Sequence, residues 1–221
     1  MGEDLHPIFI TGDDTLRIDK LQPDQRDGLS SALRGMPDWT EIVPGKESVT
    51  VQFDPLVMSP DLAMEKLAAV TSQTSSKSAV TTAELEVPVA YGGHYGPDLE
   101  SVAAKLNVTP DTLMERYVSI TYRVDFIGFT PGFAYIGPNA DTGLNIPRLE
   151  RPRRRVPAGS VGVVGGMTGI YALDGPGGWP IIGRTPITLF DASLEQPATL
   201  MPGVVLRFRP ISAAEFDELA G

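Results

Sequence analysis

Apolar and polar positions follow two different periods along this chain, and the changes of period mark its elements. Leu16 and Ile18 fall in a short β-like run after the Gly12-Asp13-Asp14 turn. Residues 23–35 carry Leu29, Ala32 and Leu33 at helical spacing and end near Gly35. Trp39 to Val43 reads as a strand closed by a Pro44-Gly45 turn. Over 47–53, Val49, Val51 and Phe53 alternate with Thr50 and Gln52, as in a half-buried strand. Ser59-Pro60-Asp61 opens a second helix, with Ser59 as N-cap, Pro60 in the first helical position, and Ala63, Leu67 and Val70 on one face. The order β-α-β-β-α predicts a ferredoxin-like half with no evident closing strand.

Residues 71–83 are rich in Ser and Thr with almost no apolar anchors, the pattern of a linker or a long surface loop. The expected organisation is a ferredoxin-like α+β domain over 1–75, a linker over 76–83 and a second domain over 84–221. That domain opens with Leu85, Val87 and Val89 in strict alternation. Two short helices follow. One has Leu99, Val102, Ala103 and Leu106 on a face, with Asp98 as its start residue; the other begins at Thr109-Pro110-Asp111. Ile120, Tyr122, Val124 and Phe126 then give the clearest strand in the chain. From there to the end, short apolar runs alternate with Gly and Pro, which predicts many short strands in a barrel or a sandwich.

Composition narrows the function. Of 221 residues, 42% are hydrophobic, enough for a packed core, and the net charge is −10. An acidic surface repels phosphate backbones, so nucleic acid is not an expected partner. The absence of cysteine excludes disulfides, thiolate catalysis and cysteine zinc sites, and only His6 and His94 are available to a histidine centre. No metal site is expected. The N-terminus is acidic without a signal-like apolar core, and no apolar run approaches the ~18 residues of a membrane span. The expectation is a cytoplasmic protein with no membrane partner.

Candidate chemistry concentrates in the second half. Thirteen of the 23 glycines lie between Gly128 and Gly183. They permit positive φ and can turn N–H groups toward an anion, or they serve tight barrel turns. No Gly-Lys-Ser/Thr ending makes any of these a P-loop. Arg148, Arg151, Arg153, Arg154 and Arg155 lie within eight residues, whereas residues 1–140 hold 10 cations against 20 anions. Guanidinium forks suit carboxylate or phosphate; a solvated loop or salt bridges between subunits would use the same residues. His94 reads as an acid/base group or as a structural histidine. No nucleophile–base motif accompanies it, and no catalytic residue is assigned.

Five ordered stretches are more specific. They are Tyr91 to Leu99 (YGGHYGPDL), Gly128 to Ile136 (GFTPGFAYI), Pro152 to Val161 (PRRRVPAGSV), Thr168 to Tyr171 (TGIY) and Pro176 to Pro186 (PGGWPIIGRTP). Together they resemble the family of 5-oxoprolinase B subunits, also called allophanate hydrolase subunit 1 or KipI-like. The first unit fits more loosely, through Gly12-Asp13 and Phe53-Asp54-Pro55. The sequence departs from the family pattern at His94, Tyr117 and Met167, where Glu, His and Gln are usual.

The resemblance implies a ferredoxin-like domain followed by a cyclophilin-like β-barrel. It implies one component of an ATP-dependent amidohydrolase, with ATP and magnesium, that opens 5-oxoproline to glutamate. Its partners would be a protein like the 5-oxoprolinase C subunit (allophanate hydrolase subunit 2) and one like the A subunit, and the chain would be inactive alone. Two alternatives come with the family: a urea amidolyase-type carboxyltransferase half working with biotin, and a non-catalytic inhibitor of a sensor histidine kinase. On the main reading, Arg153, Arg155 and Arg184 bind the anionic substrate or nucleotide. The backbones of Gly165, Gly166, Gly177 and Gly178 contact it, and Phe133 and Trp179 wall the site.

Overall fold

The computed structural model describes residues 6–73, 84–138 and 145–221, so the expected linker at 76–83 lies outside the described residues. The chain divides into two compact units, Met1–Thr81 and Thr82–Gly221.

The first unit runs β1 (Ile8–Ile10), β2 (Thr15–Asp19), α1 (Pro23–Arg34), β3 (Glu41–Pro44), β4 (Ser48–Gln52) and α2 (Pro60–Gln73). Its sheet has the order β1-β2-β4-β3, with every pair antiparallel. Pro23 sits in the first turn of α1, and the Gln25 side chain accepts the Gln22 N–H at 2.9 Å. Leu29 and Leu33 of this helix pack with Leu16, Ile18, Val49, Val51 and Leu67. Arg26 is fully buried and donates to the carbonyls of Gly45 and Lys46, tying α1 to the β3–β4 turn. The predicted order β-α-β-β-α is present from β2 to α2. The fourth strand is β1, which precedes these elements and is too short to leave a periodic signal. A ferredoxin-like plait takes its fourth strand from after the second helix; here the position beside β2 is occupied by β1.

The second unit contains β5 (Glu84–Tyr91), α3 (Leu99–Lys105), α4 (Pro110–Val118), β6 (Tyr122–Ile127), β7 (Ala134–Pro138), β8 (Arg153–Val156), β9 (Ser160–Val164), β10 (Met167–Ile170), β11 (Gly175–Gly177), β12 (Ile181–Arg184), β13 (Val205–Pro210) and α5 (Ala213–Ala220). Seven strands close into a barrel, β10-β7-β6-β13-β5-β12-β9, so the sandwich alternative is excluded. The parallel pair β5–β13 joins residues more than 100 positions apart in register from Val205↔Glu84 to Pro210↔Val89. β8 and β11 form a separate two-stranded ribbon. The Thr109 hydroxyl accepts the Thr112 N–H, so α4 starts where its sequence predicts. Val87, Val89, Val124, Ile136, Val161 and Leu206 fill the core with Val102, Leu113 and Tyr117 from the helices. Among the described residues no helix is long and apolar enough to cross a membrane.

Candidate functional site

The site is built around the β8–β11 ribbon. Arg153 opens β8, and its Nη2 donates to Asp98 Oδ1 at 2.8 Å. The other carboxylate oxygen of Asp98 accepts the Ile181 N–H at 2.7 Å, while the Asp98 N–H donates to the Ile181 carbonyl. This corrects the expected role of Asp98. It stands at the N-cap of α3, but its side chain caps no helical N–H. A guanidinium and a strand N–H are its partners instead, and charge-assisted bonds of this kind exceed a neutral cap in strength.

Arg155 and Arg184 gather around Ala158. Arg155 donates from Nε and Nη2 to Asp174 Oδ2, at 2.9 and 2.5 Å. Asp174 Oδ1 accepts the Ala158 N–H at 2.7 Å, and Arg184 Nε donates to the Ala158 carbonyl at 2.7 Å. The Arg184 guanidinium lies 5.8 Å over the Phe216 ring. The Ala158 N–H, then Arg155, hold the Asp174 carboxyl below its ordinary pKa. The three predicted arginines are thus engaged by different groups: Arg153 by Asp98, Arg155 by Asp174, and Arg184 by a carbonyl and a ring.

The predicted glycines hold a neighbouring segment of chain. Gly165 and Gly166 form the two-residue turn between β9 and β10, with φ of 53° and 79°, both in the left-handed region that this hairpin requires. The Gly165 N–H donates to the Ile146 carbonyl at 2.8 Å. Gly177 ends β11 against the Tyr171 ring, where a side chain would collide with the phenol. The Gly178 carbonyl accepts the Leu149 N–H at 2.8 Å. Residues 146–149, which carry Arg148, are therefore pinned at both ends by glycine backbone.

Phe133 and Trp179 are buried and meet edge to face at 5.9 Å. Tyr171 packs on Phe133 at 5.0 Å, and Tyr135 on Trp179 at 5.8 Å. Burial raises the Tyr135 and Tyr171 pKa values. Arg148 opposes this at both phenols; at Tyr171 the Trp179 N–H opposes it most, and Arg153 also does. Phe129 is 60% exposed with φ of 70°, a conformation bulky residues rarely adopt. His94 is exposed, with its ring 3.8 Å from that of Tyr95. Tyr117 is buried, and its hydroxyl lies 2.9 Å from Thr168 Oγ1. Among the described residues no group of three acidic or histidine side chains could hold a metal ion.

Sequence reasoning missed Asp174 and the two phenols as members of this neighbourhood. The Asp98–Arg153 contact spans 55 positions, and no local pattern announces it. The assembled residues offer guanidinium groups, neutral phenols and a rigid aromatic wall, which suits binding of an anionic small molecule.

The profile of the family described as "Carboxyltransferase domain, subdomain C and D" matches residues 15–200. The 5-oxoprolinase B subunit of Escherichia coli O157:H7 is 39% identical over 185 residues, covering 82% of this chain and 83% of that protein. The crystal structure of a conserved uncharacterized protein from Pyrococcus horikoshii is similar with a TM-score of 0.58 at 38% identity, covering 95% of this chain and all of that one. The K. lactis urea amidolyase shares the fold, with a TM-score of 0.79 at 18% identity over 98% of this chain and 16% of its own. With its motifs in order and the family profile spanning both units, the chain belongs to the carboxyltransferase subdomain C and D family that includes the 5-oxoprolinase B subunits.

Proposed function

We propose that this chain is the B subunit of an ATP-dependent 5-oxoprolinase that opens 5-oxoproline to glutamate. The observation that carries the reading is the 39% identity to a protein of that name across four-fifths of both chains. A lactam carbonyl resists water because the ring nitrogen donates into it. Transfer of the γ-phosphoryl group of ATP to the carbonyl oxygen removes that resistance: one water adds to the carbon, the ring C–N bond breaks as the nitrogen leaves as the amine, and a second water hydrolyses the resulting γ-glutamyl phosphate to glutamate and inorganic phosphate. Two waters, one ATP and one 5-oxoproline then balance against glutamate, ADP and inorganic phosphate. Such chemistry asks the protein for cations beside the phosphates and for a dry wall beside the ring. Arg153, with Nη1 buried and without a hydrogen-bond partner, fits the first demand; Phe133 and Trp179 fit the second. Magnesium would accompany ATP on its phosphates.

The catalytic centre is completed by a partner like the C subunit, with a protein like the A subunit in the full assembly, in the cytoplasm. The motivation is chemical: the sequence holds no recognisable nucleophile–base pair. Within the same reading, the first unit is a ferredoxin-like domain with β1 in the place of the closing strand, the second is a cyclophilin-like domain, and they are joined at 76–83. Limited proteolysis should cut there first. Co-expressed with the partner, the chain should co-purify at equal stoichiometry and turn over 5-oxoproline; alone it should not. Equal turnover by the isolated chain would overturn the reading. A second reading, a carboxyltransferase half working with biotin, is favoured by the family's description and by the fold shared with urea amidolyase. Carboxyl transfer from carboxybiotin to an amide acceptor such as urea, releasing biotin and forming no glutamate, would select it.

A further inference from the structure

The connection between β6 and β7 carries an aromatic side chain that opposes folding in two ways. The Thr130 N–H donates to the Gly128 carbonyl at 2.9 Å, and the residue between them, Phe129, has φ of 70°. Together these make a γ-turn of the rare positive-φ form, which is strained, and a bulky side chain adds to the strain. The ring is also 60% exposed. Backbone strain and exposed apolar surface both cost stability, so packing within this chain does not account for Phe129.

The rest of the loop enforces this conformation. The Phe133 N–H donates to the Thr130 carbonyl at 3.0 Å across Pro131 and Gly132, and Gly132 has φ of 73°, the pattern of a type II turn. The Gly128 N–H closes the loop on the Phe133 carbonyl at 3.1 Å. A Cβ on Gly132 would lie 2.8 Å from Phe190 and 2.9 Å from Ala172, so the loop is pressed onto the barrel unit. The Phe129 ring is held 5.4 Å from that of Phe133 and 6.5 Å from that of Tyr171, edge to face with both. A hollow of about 360 Å³ is lined by residues 127–132, none of them charged.

We propose that Phe129 is a specificity-determining residue that packs on the ring of a cyclic amide substrate. This rests on the function proposed above and names the side chain that recognises the apolar side of 5-oxoproline, its ring methylenes. The hollow has the volume of a small-molecule site near the lower end of the range. Its uncharged lining suits hydrocarbon and offers nothing to a phosphate. Phe133, against which Phe129 rests, already belongs to the aromatic wall of the candidate site. A protein partner would need about 800 Å² on each side, more than one six-residue loop supplies. A ring fixed before binding also has little freedom left to lose when the substrate arrives.

The test uses the co-purified complex, with calorimetry on 5-oxoproline alone and steady-state glutamate formation. Phe129→Ala should raise Kd and KM for 5-oxoproline about tenfold, leaving kcat and the KM for ATP near wild type. Phe129→Tyr should retain most of the affinity. Phe129→Gly should lose as much affinity as Phe129→Ala yet show the higher urea midpoint, because glycine adopts positive φ without strain. Affinity that follows the midpoint across these variants would make the role structural and overturn the proposal. Phe9→Ala, at an exposed aromatic of the first unit, should change neither quantity. Wild-type Kd and KM in Phe129→Ala would overturn the proposal and leave the proposed function standing. Loss of the partner from purified Phe129→Ala would make the residue an interface anchor and overturn it as well. A complex that binds 5-oxoproline, more weakly in Phe129→Ala, but forms no glutamate keeps this inference and loses the proposed function. A complex that neither binds nor converts 5-oxoproline overturns both.

Discussion

Each unit of the molecule carries a groove lined by cations, and the two differ in how those cations are partnered. In the first unit, Arg17, Lys20 and Lys46 share a groove of about 430 Å³ with Asp19 and Glu47, and Arg17 is bonded to Asp19 at 2.6 Å. Its charges largely cancel within the protein. In the barrel unit, Lys105, Arg148, Arg151 and Arg153 share a groove of about 600 Å³ with Glu150; Asp98 pairs with Arg153 at 2.8 Å, and among the described residues no ion pair holds the other three. Concavity and positive residues are common to both. What separates a binding site from a solvated surface is the charge left unpaired once the protein's own acids are counted.

The interiors differ as well. All six tyrosines lie after residue 82, and the first unit has none. Tyr91, Tyr117 and Tyr122 are packed together inside the barrel unit, and burial raises the pKa of each phenol. A group whose folded pKa is raised contributes its full stability below its unfolded pKa, about 10 for Tyr, and loses it as pH climbs beyond that. The largest expected effect follows. Between pH 9 and 11 the urea midpoint of the barrel unit should fall steeply, while that of the first unit is spared this mechanism. Each unit has one tryptophan, Trp39 and Trp179, both 6% exposed. Urea titrations followed in Trp179→Phe and Trp39→Phe variants therefore read the units separately; parallel loss in both would break the contrast.

Next in size is a matched pair of glycines. A Cβ on Gly96 would sit on the Ile182 backbone carbonyl, whereas a Cβ on Gly35 meets only the Ala32 carbonyl at 3.5 Å. Gly96→Ala should cost the barrel unit about 3 kcal/mol, and Gly35→Ala should change the first unit by no more than about 0.5 kcal/mol. Equal losses in denaturant titrations would show that the barrel is packed no more closely than the first unit. Asp98→Ala comes third, at about 2 kcal/mol, because it strips both Ile181 and Arg153 of a charged acceptor. Asp98→Asn should recover part of this by accepting the Ile181 N–H; no recovery would assign the loss to charge alone. Smallest is Arg17→Ala, which removes a half-exposed pair and should cost no more than about 0.5 kcal/mol of first-unit stability.

Much of the fold was legible because its signals are local. Alternation at Val49, Val51 and Phe53 and at Tyr122 and Val124, and prolines at the starts of α1, α2 and α4, are read within a few residues. Periodicity alone left barrel and sandwich open, and the barrel came from the family resemblance, since the β5–β13 pairing depends on residues far apart in sequence. β1 was missed because three residues cannot show a period. The site divides in the same way. Five arginines in eight residues are visible in the sequence, and so is the glycine density around them. Which arginines keep their charge free is decided by Asp98 and Asp174, which only the folded chain brings to Arg153 and Arg155. Lys105 joins the groove from α3 for the same reason.

The central claim is tested most directly by glutamate and ADP formation from 5-oxoproline and ATP in the co-purified complex, compared across wild type, Arg148→Ala and Lys46→Ala. The expected result is one ADP per glutamate, a loss of about tenfold in kcat/KM for ATP in Arg148→Ala, and wild-type kinetics in Lys46→Ala. Glutamate formed without ADP, no glutamate at all, or a loss confined to Lys46→Ala would contradict it.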